Sequence, residues 1–314
     1  MGQTHQASAR LRLATGDKIA AMRSDAVRIY RITAAAIAVV SCGGPPRVPP
    51  PMMTFGEYAK RNHRAPYVVS LTARNGARLL YYGTSHVSDA GDPTVADIQA
   101  RWKAFDPSFA FNEGGSPPIA ATVAETVGRS GEPALVRWLA SRSHVHVESI
   151  DPPRAGLVKY LGERFTSEQI KVSMTLEQVG EQQRRAVPLR GADLDNEISR
   201  TLDLLGQIPG LDGPPGNLEQ LRDTCARLLP QLHDWREVPS TWFDPAIEPP
   251  PTWINEMARI ANEYRDEFMV QRIIAQLGKG DHVFAVVGLT HVVMQERTLR
   301  SRAQHMGELP TPRR

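Results

Sequence analysis

The chain has 314 residues, 41% hydrophobic, 23% charged and 6% aromatic, a balance that excludes a wholly disordered chain, a collagen-like repeat and a multi-span membrane protein. Its formal charge of +3 sits at the start. Residues 1–41 carry six cations (Arg10, Arg12, Lys18, Arg23, Arg28, Arg31) against Asp17 and Asp25, which leaves 31 Lys and Arg against 32 Asp and Glu in the remainder. Nucleic-acid binding loses its electrostatic motive there.

The first feature in chain order is an address. From Met22 onward three arginines precede an apolar run at 32–40, which ends in Val39-Val40-Ser41-Cys42. A basic flank, a short apolar core and small residues before a cut are the parts of an export signal. The run is about ten residues, whereas a bilayer span needs roughly 20, so a permanent transmembrane helix is not expected. The segment resembles a bacterial lipoprotein signal, which implies cleavage before Cys42, acylation of its thiol, and a membrane-anchored position in the cell envelope facing the periplasm or exterior. Residues 1–41 read as the leader, with Met22 a better start than Met1. Residues 42–54 read as a Pro-rich tether, 55–300 as the folded domain and 301–314 as a polar tail. The alternative is a non-exported chain with an Ala-rich first helix and a buried Cys42. With Cys42 acylated, Cys225 has no intrachain partner and no disulfide framework exists.

The domain opens on a hairpin. Runs at 67–72 and 78–82 flank Arg74-Asn75-Gly76, and Asn-Gly between two β-rich runs is a strong hairpin signal. Further strands are expected at 108–112, 145–150, 187–190 and 282–287, and helices at 95–105, 132–143, 154–164, 168–185, 195–206, 218–232 and 252–277. The last helix has the clearest 3.6-residue pattern, with Ile254, Met257, Ala261, Tyr264, Phe268 and Ile273 among its repeats. The expected fold is α/β: a central mixed sheet opened by a β-hairpin and flanked by helices, with a helical insertion before the last helix–strand unit.

Two segments share one shape. In each an apolar strand reaches a glycine that permits a sharp exit, and a histidine follows three residues later: Gly83-Thr-Ser-His86 and Gly288-Leu-Thr-His291. The bare pattern recurs at Gly2-Gln-Thr-His5, so the spacing alone is weak, and the preceding strands raise the two interior copies. Between them lie acidic strand exits, Asn112-Glu113-Gly114-Gly115 and Glu148-Ser-Ile-Asp151. A carboxylate at the exit of an apolar strand is costly to bury unless paired, protonated or bound to metal. Two imidazoles and one carboxylate would make a three-ligand site with an open position for water.

These residues, with Arg265-Asp-Glu-Phe-Met269 on the last long helix, resemble the TraB/PrgY and TIKI proteins, within a wider assembly that includes ChaN haem-binding and erythromycin-esterase-like proteins. The resemblance implies an active centre of His86, His291 and Glu113, with Arg265 pairing a carboxylate or a substrate oxyanion. It also implies a metal-dependent hydrolase of peptide or ester type, in which a divalent metal ion is held by His86 and His291, with Glu113 as the third ligand or as the base for a metal-bound water. Asn112-Glu113-Gly114-Gly115 departs from the more usual apolar-Glu-Leu-Asp run, so Glu113 lacks an acidic neighbour. Two alternatives follow from the same assembly: a ChaN-like lipoprotein that binds haem or metal without catalysis, and a His/Glu acid–base esterase that needs no metal.

Other residues weigh toward structure. Glu148, Asp151, Asp193 and Asp195 stand where helix caps are usual. His144 and His146 alternate on one expected strand, and a surface pair is their ordinary state. The five tryptophans form no stacking platform.

Overall fold

The computed structural model describes residues 50–183, 188–247 and 249–306. Cys42 and the leader lie outside them. Among the described residues the chain is mixed α/β, with one five-stranded sheet.

The Asn-Gly turn forms as expected: β1 (Tyr67–Thr72) pairs antiparallel with β2 (Arg78–Thr84), Leu71 opposite Leu79. Gly76 adopts φ 88°, which a side chain would resist. The remaining strands, β3 (Phe109–Asn112), β4 (His146–Ser149) and β5 (His282–Gly288), run parallel to β2. The sheet order is β1-β2-β5-β3-β4, so the last strand in sequence is inserted at the centre.

Strand alternation builds two cores. Leu79, Tyr81, Val283, Ala285 and Val287 face α8 (Trp253–Gly278) and α9 (Leu289–Gln304), meeting Met269, Ile273, Val292 and Leu299. Leu80, Tyr82, Phe284 and Val286 face the opposite layer, α2 (Pro93–Phe105) and α3 (Val123–Ser143). Each buried large side chain contributes about 1.5–3 kcal/mol, so the two faces together lock the register of β2 and β5. The helical insertion comprises α4 (Arg154–Leu161), α5 (Ser167–Gln183), α6 (Gly191–Gly206) and α7 (Leu218–Leu228), and has its own core. The first half of α8 packs in that core and its second half on the sheet, because Ile254, Met257 and Ile260 serve one and Met269, Val270 and Ile273 the other. Cys225 is buried there, and burial pushes its thiol up to about 12.

Several expectations change. Residues 188–190 form no strand, and 187 lies outside the described residues. A short helix α1 (Phe55–Ala59), capped by Thr54 and Glu57, precedes the hairpin. The helix expected from 132 begins at Val123 and breaks at Gly131, where φ is 66°. His144 ends α3 in a left-handed conformation and is no part of β4, so it shares no strand face with His146. The segment after Gly288 is helical to Gln304. The end of the expected tether is tied to that helix, with Thr298 donating to the Pro50 carbonyl at 2.9 Å and the Met53 amide to Met294 at 3.0 Å.

Candidate functional site

The four parallel strands end on one side of the sheet. His86 follows β2, Glu113 β3, Asp151 β4, and Gly288 with His291 closes β5. The carboxyl ends of parallel strands are where α/β sheets form ligand crevices.

The two Gly-x-x-His segments part company after their glycines. Beyond β2 the chain enters a loop in which His86 sits at φ 60°, an uncommon conformation for a residue with a side chain. Its own amide donates to Thr84 Oγ1 at 3.1 Å. Thr84 Oγ1 in turn donates to Glu132 Oε1 at 2.7 Å, and the same oxygen receives His86 Nδ1 at 2.8 Å. Glu132 is 2% exposed and stands between Gly131 and Pro133, so the break in α3 is what brings this carboxylate to β2. The His86 ring is 58% exposed. Its pKa is raised, chiefly by the hydrogen bond to Glu132, against the effect of burial and with help from Glu113.

Beyond β5 the chain passes directly into α9, so His291 lies in the first helical turn and is 5% exposed. Its Nδ1 donates to Asp266 Oδ1 at 2.6 Å. Gln295 Nε2 donates to the same oxygen at 2.7 Å, and the buried Tyr81 hydroxyl donates to Gln295 Oε1 at 2.9 Å. Nε2 faces Glu113 Oε1 at 3.6 Å. Burial and the helix N-terminus both disfavour a cation here. Burial is nonetheless outweighed by Asp266 and then Glu113, and the imidazole is pushed up to about 9.

Glu113 is the hub. Its Oε2 accepts the Gly288 amide at 2.6 Å, and its Oε1 accepts Arg265 Nη2 at 2.6 Å. Arg265 also grips Asp151 Oδ1 through Nη2 at 2.7 Å and Nε at 3.1 Å, while Asp151 Oδ2 accepts the Gly114 amide at 2.7 Å. Burial would raise the Glu113 carboxyl, but the hydrogen bond and charge of His291, followed by Arg265 and His86, hold it well below the usual carboxylate range. The Glu113–Arg265–Asp151 bridge ties β3, α8 and β4 together.

The glycines have distinct reasons. A Cβ on Gly83 would meet the Leu289 Cα at 3.0 Å, so Gly83 lets the start of α9 approach β2. A Cβ on Gly288 would meet His86 Nε2 at 2.8 Å and Glu113 Oε2 at 3.6 Å, so Gly288 leaves room for the two side chains to converge.

The structure thus gathers His86, Glu113, Arg265 and His291, and adds Asp151, which the sequence pattern assigned to capping. It does not gather Glu148, which pairs with His146 and Arg272, or Asp195, which pairs with Arg236 in the helical insertion. Asp193 is exposed on α6. Glu132, Asp266, Gln295 and Tyr81 escaped sequence reasoning. The signal for Glu132 was its place between a glycine and a proline inside a helical pattern; for Asp266 it was adjacency to Arg265.

His86, Glu113 and His291 are not arranged as an open ligand set. Both Glu113 oxygens are engaged, one by a guanidinium standing where a shared cation would compete with it, and the His291 Nε2 faces that same carboxylate. Among the described residues no group of three His, Cys, Asp or Glu side chains is placed to hold a metal ion. Comparison with protein-family models, with curated proteins and with solved structures returns no match.

Proposed function

We propose that this cluster is the active centre of a hydrolase acting on a peptide or ester carbonyl by acid–base chemistry. The observation that carries the reading is the pair of unlike imidazoles. Each has a carboxylate on Nδ1, one ring open to solvent and the other buried and charged, with Glu113 beside both. Groups whose surroundings assign them different protonation roles mark acid and base.

His86 is the base. With Nδ1–H held by Glu132, Nε2 takes a proton from water as the oxygen attacks the carbonyl carbon, and later returns that proton to the leaving group. His291 is the charged donor. Its Nε2–H, 3.6 Å from Glu113 Oε1, is held loosely enough to turn to the oxyanion that forms at the carbonyl. Asp266 and then Glu113 keep it charged, and Arg265 holds Glu113 in position. No step is assigned to a metal, because the residues as placed do not form its ligand set.

The test is turnover of a panel of activated esters and short peptides by the full chain, with His86→Ala alongside, before and after dialysis against a chelator. Turnover that survives chelation and is lost in the variant supports the reading. Stoichiometric divalent metal lost from both His86→Ala and His291→Ala, with turnover abolished by the chelator, would replace it with metal-assisted hydrolysis. A Soret band without turnover would replace it with haem binding.

The envelope assignment is a separate part of the proposal and rests on residues 22–42. No helix among the described residues is long and apolar enough to cross a membrane. Mass spectrometry of the mature N-terminus tests it: an acylated Cys42 supports the anchor, and an intact unmodified leader overturns it.

A further inference from the structure

A cavity of about 330 Å³ lies on the far face of α9 from His291 and Gln295, its lining including Glu57, Arg61, His63, Glu296, Arg297 and Arg300. None of the cluster residues lines it. We infer that this cavity is a binding site for a small oxyanion, a carboxylate or phosphate group, recognised by Arg61 together with the free edges of Arg297 and Arg300.

What remains after internal pairing is a surplus of donors. The acidic members are spent. Glu57 Oε2 accepts the Thr54 amide and hydroxyl at 2.8 and 3.1 Å, while Glu296 accepts the Tyr67 hydroxyl at 2.5 Å through one oxygen and Arg300 Nε at 2.8 Å through the other. The arginines are only partly spent. Arg297 gives Nε to the Pro51 carbonyl and Nη2 to the Met52 carbonyl at 2.5 Å, with the same Nη2 3.5 Å from Glu57 Oε2, which leaves Nη1 without a partner among the described residues. Arg300 gives Nη1 to the Ser70 carbonyl at 3.4 Å, which leaves Nη2. Arg61 makes no side-chain hydrogen bond or ion pair among the described residues.

Three guanidiniums against two carboxylates leave a net positive charge, before His63 is counted. Two of the forks are already held in place by backbone carbonyls, so less rotamer freedom is lost when an anion docks. His63 Nε2 is buried with no hydrogen-bond partner among the described residues, and its ring stacks on Tyr58 with centroids 4.5 Å apart. Thr290 Oγ1, one residue before His291, donates to the Tyr58 hydroxyl at 3.3 Å, which links the segment carrying His63 to the start of α9.

The inference stands apart from the hydrolase reading, and its test reads binding alone. Titration calorimetry of the full chain with inorganic phosphate and, separately, with acetate, each against chloride at matched ionic strength, is run on wild type, Arg61→Ala and His86→Ala. Arg61 is exposed and makes no side-chain hydrogen bond or ion pair among the described residues, so its loss leaves the fold intact. The expected result is saturable binding of phosphate or acetate by wild type, weakened at least about tenfold in Arg61→Ala by loss of a charge-assisted fork, and unchanged in His86→Ala. Binding of phosphate alone identifies a phosphate-type ligand, and binding of both identifies the oxyanion class. No saturable heat with either anion, or equal affinity in wild type and Arg61→Ala, overturns the inference.

Discussion

A β-carbon on Gly288 would lie 2.8 Å from His86 Nε2, so the glycine closing the last strand sets how near the His86 ring approaches Glu113. Gly288→Ala has an ordinary backbone conformation to occupy, φ −57°, and displaces only the tip of a half-exposed ring. We expect kcat/KM to fall about 100-fold from misplacement of the base, while the melting temperature stays within about 4 °C of wild type. Gly83→Ala meets the Leu289 backbone at 3.0 Å, and there we expect stability and activity to fall together. An active Gly288→Ala enzyme would remove His86 from the chemistry.

The two imidazoles set a bell-shaped pH profile for kcat/KM. His86 works when neutral, so the rate rises as pH passes its raised pKa; His291 works when charged, so the rate falls as pH passes about 9. The bond to Glu132 is the main cause of the His86 shift, so Glu132→Gln moves the rising limb to lower pH and leaves the falling limb in place. A profile whose rising limb is unchanged in Glu132→Gln contradicts the assignment.

The same ionisation is written into stability. The folded pKa of His291, about 9, lies above the ordinary 6.5, so its contribution is complete below 6.5 and is lost as pH rises through about 9. Glu113 has the opposite sign: its contribution is present above its ordinary 4.5 and is lost as pH falls through its depressed value. Urea unfolding of wild type should therefore weaken between neutral and alkaline pH. Asp266→Asn, which leaves His291 without its buried counter-charge, should cost about 3–5 kcal/mol at neutral pH and flatten the alkaline loss. An equal alkaline slope in wild type and variant would show that His291 is neutral throughout.

Much of the frame was legible because it is local. Asn75-Gly76 between alternating apolar runs fixes the hairpin, and the apolar stretches before Gly83 and Gly288 mark strands buried on both faces. The histidines and Glu113 followed from where those strands stop. What escaped depends on contacts distant in sequence. Thr84 and His86 meet Glu132, 48 and 46 residues away, only because α3 bends at Gly131. Asp266 lies on the buried stripe of α8, three, four and seven residues before Met269, Val270 and Ile273, but that its partner there is His291 follows only from the packing of α8 on α9. Of the strand expected at 187–190, the described residues 188–190 form none, for the converse reason. Val-Pro-Leu-Arg has β character in sequence, yet 188–190 pair with none of the five described strands.

The most direct test of the central claim is chemical rescue. His86→Gly removes the base at a left-handed backbone position that glycine adopts without strain, and the exposed ring leaves a space that solvent solutes can enter. The account predicts that hydrolysis of an activated ester by His86→Gly is lost and then restored, saturably, by added imidazole, with Glu132 still present to orient it. Unimpaired hydrolysis by His86→Gly without imidazole would contradict it.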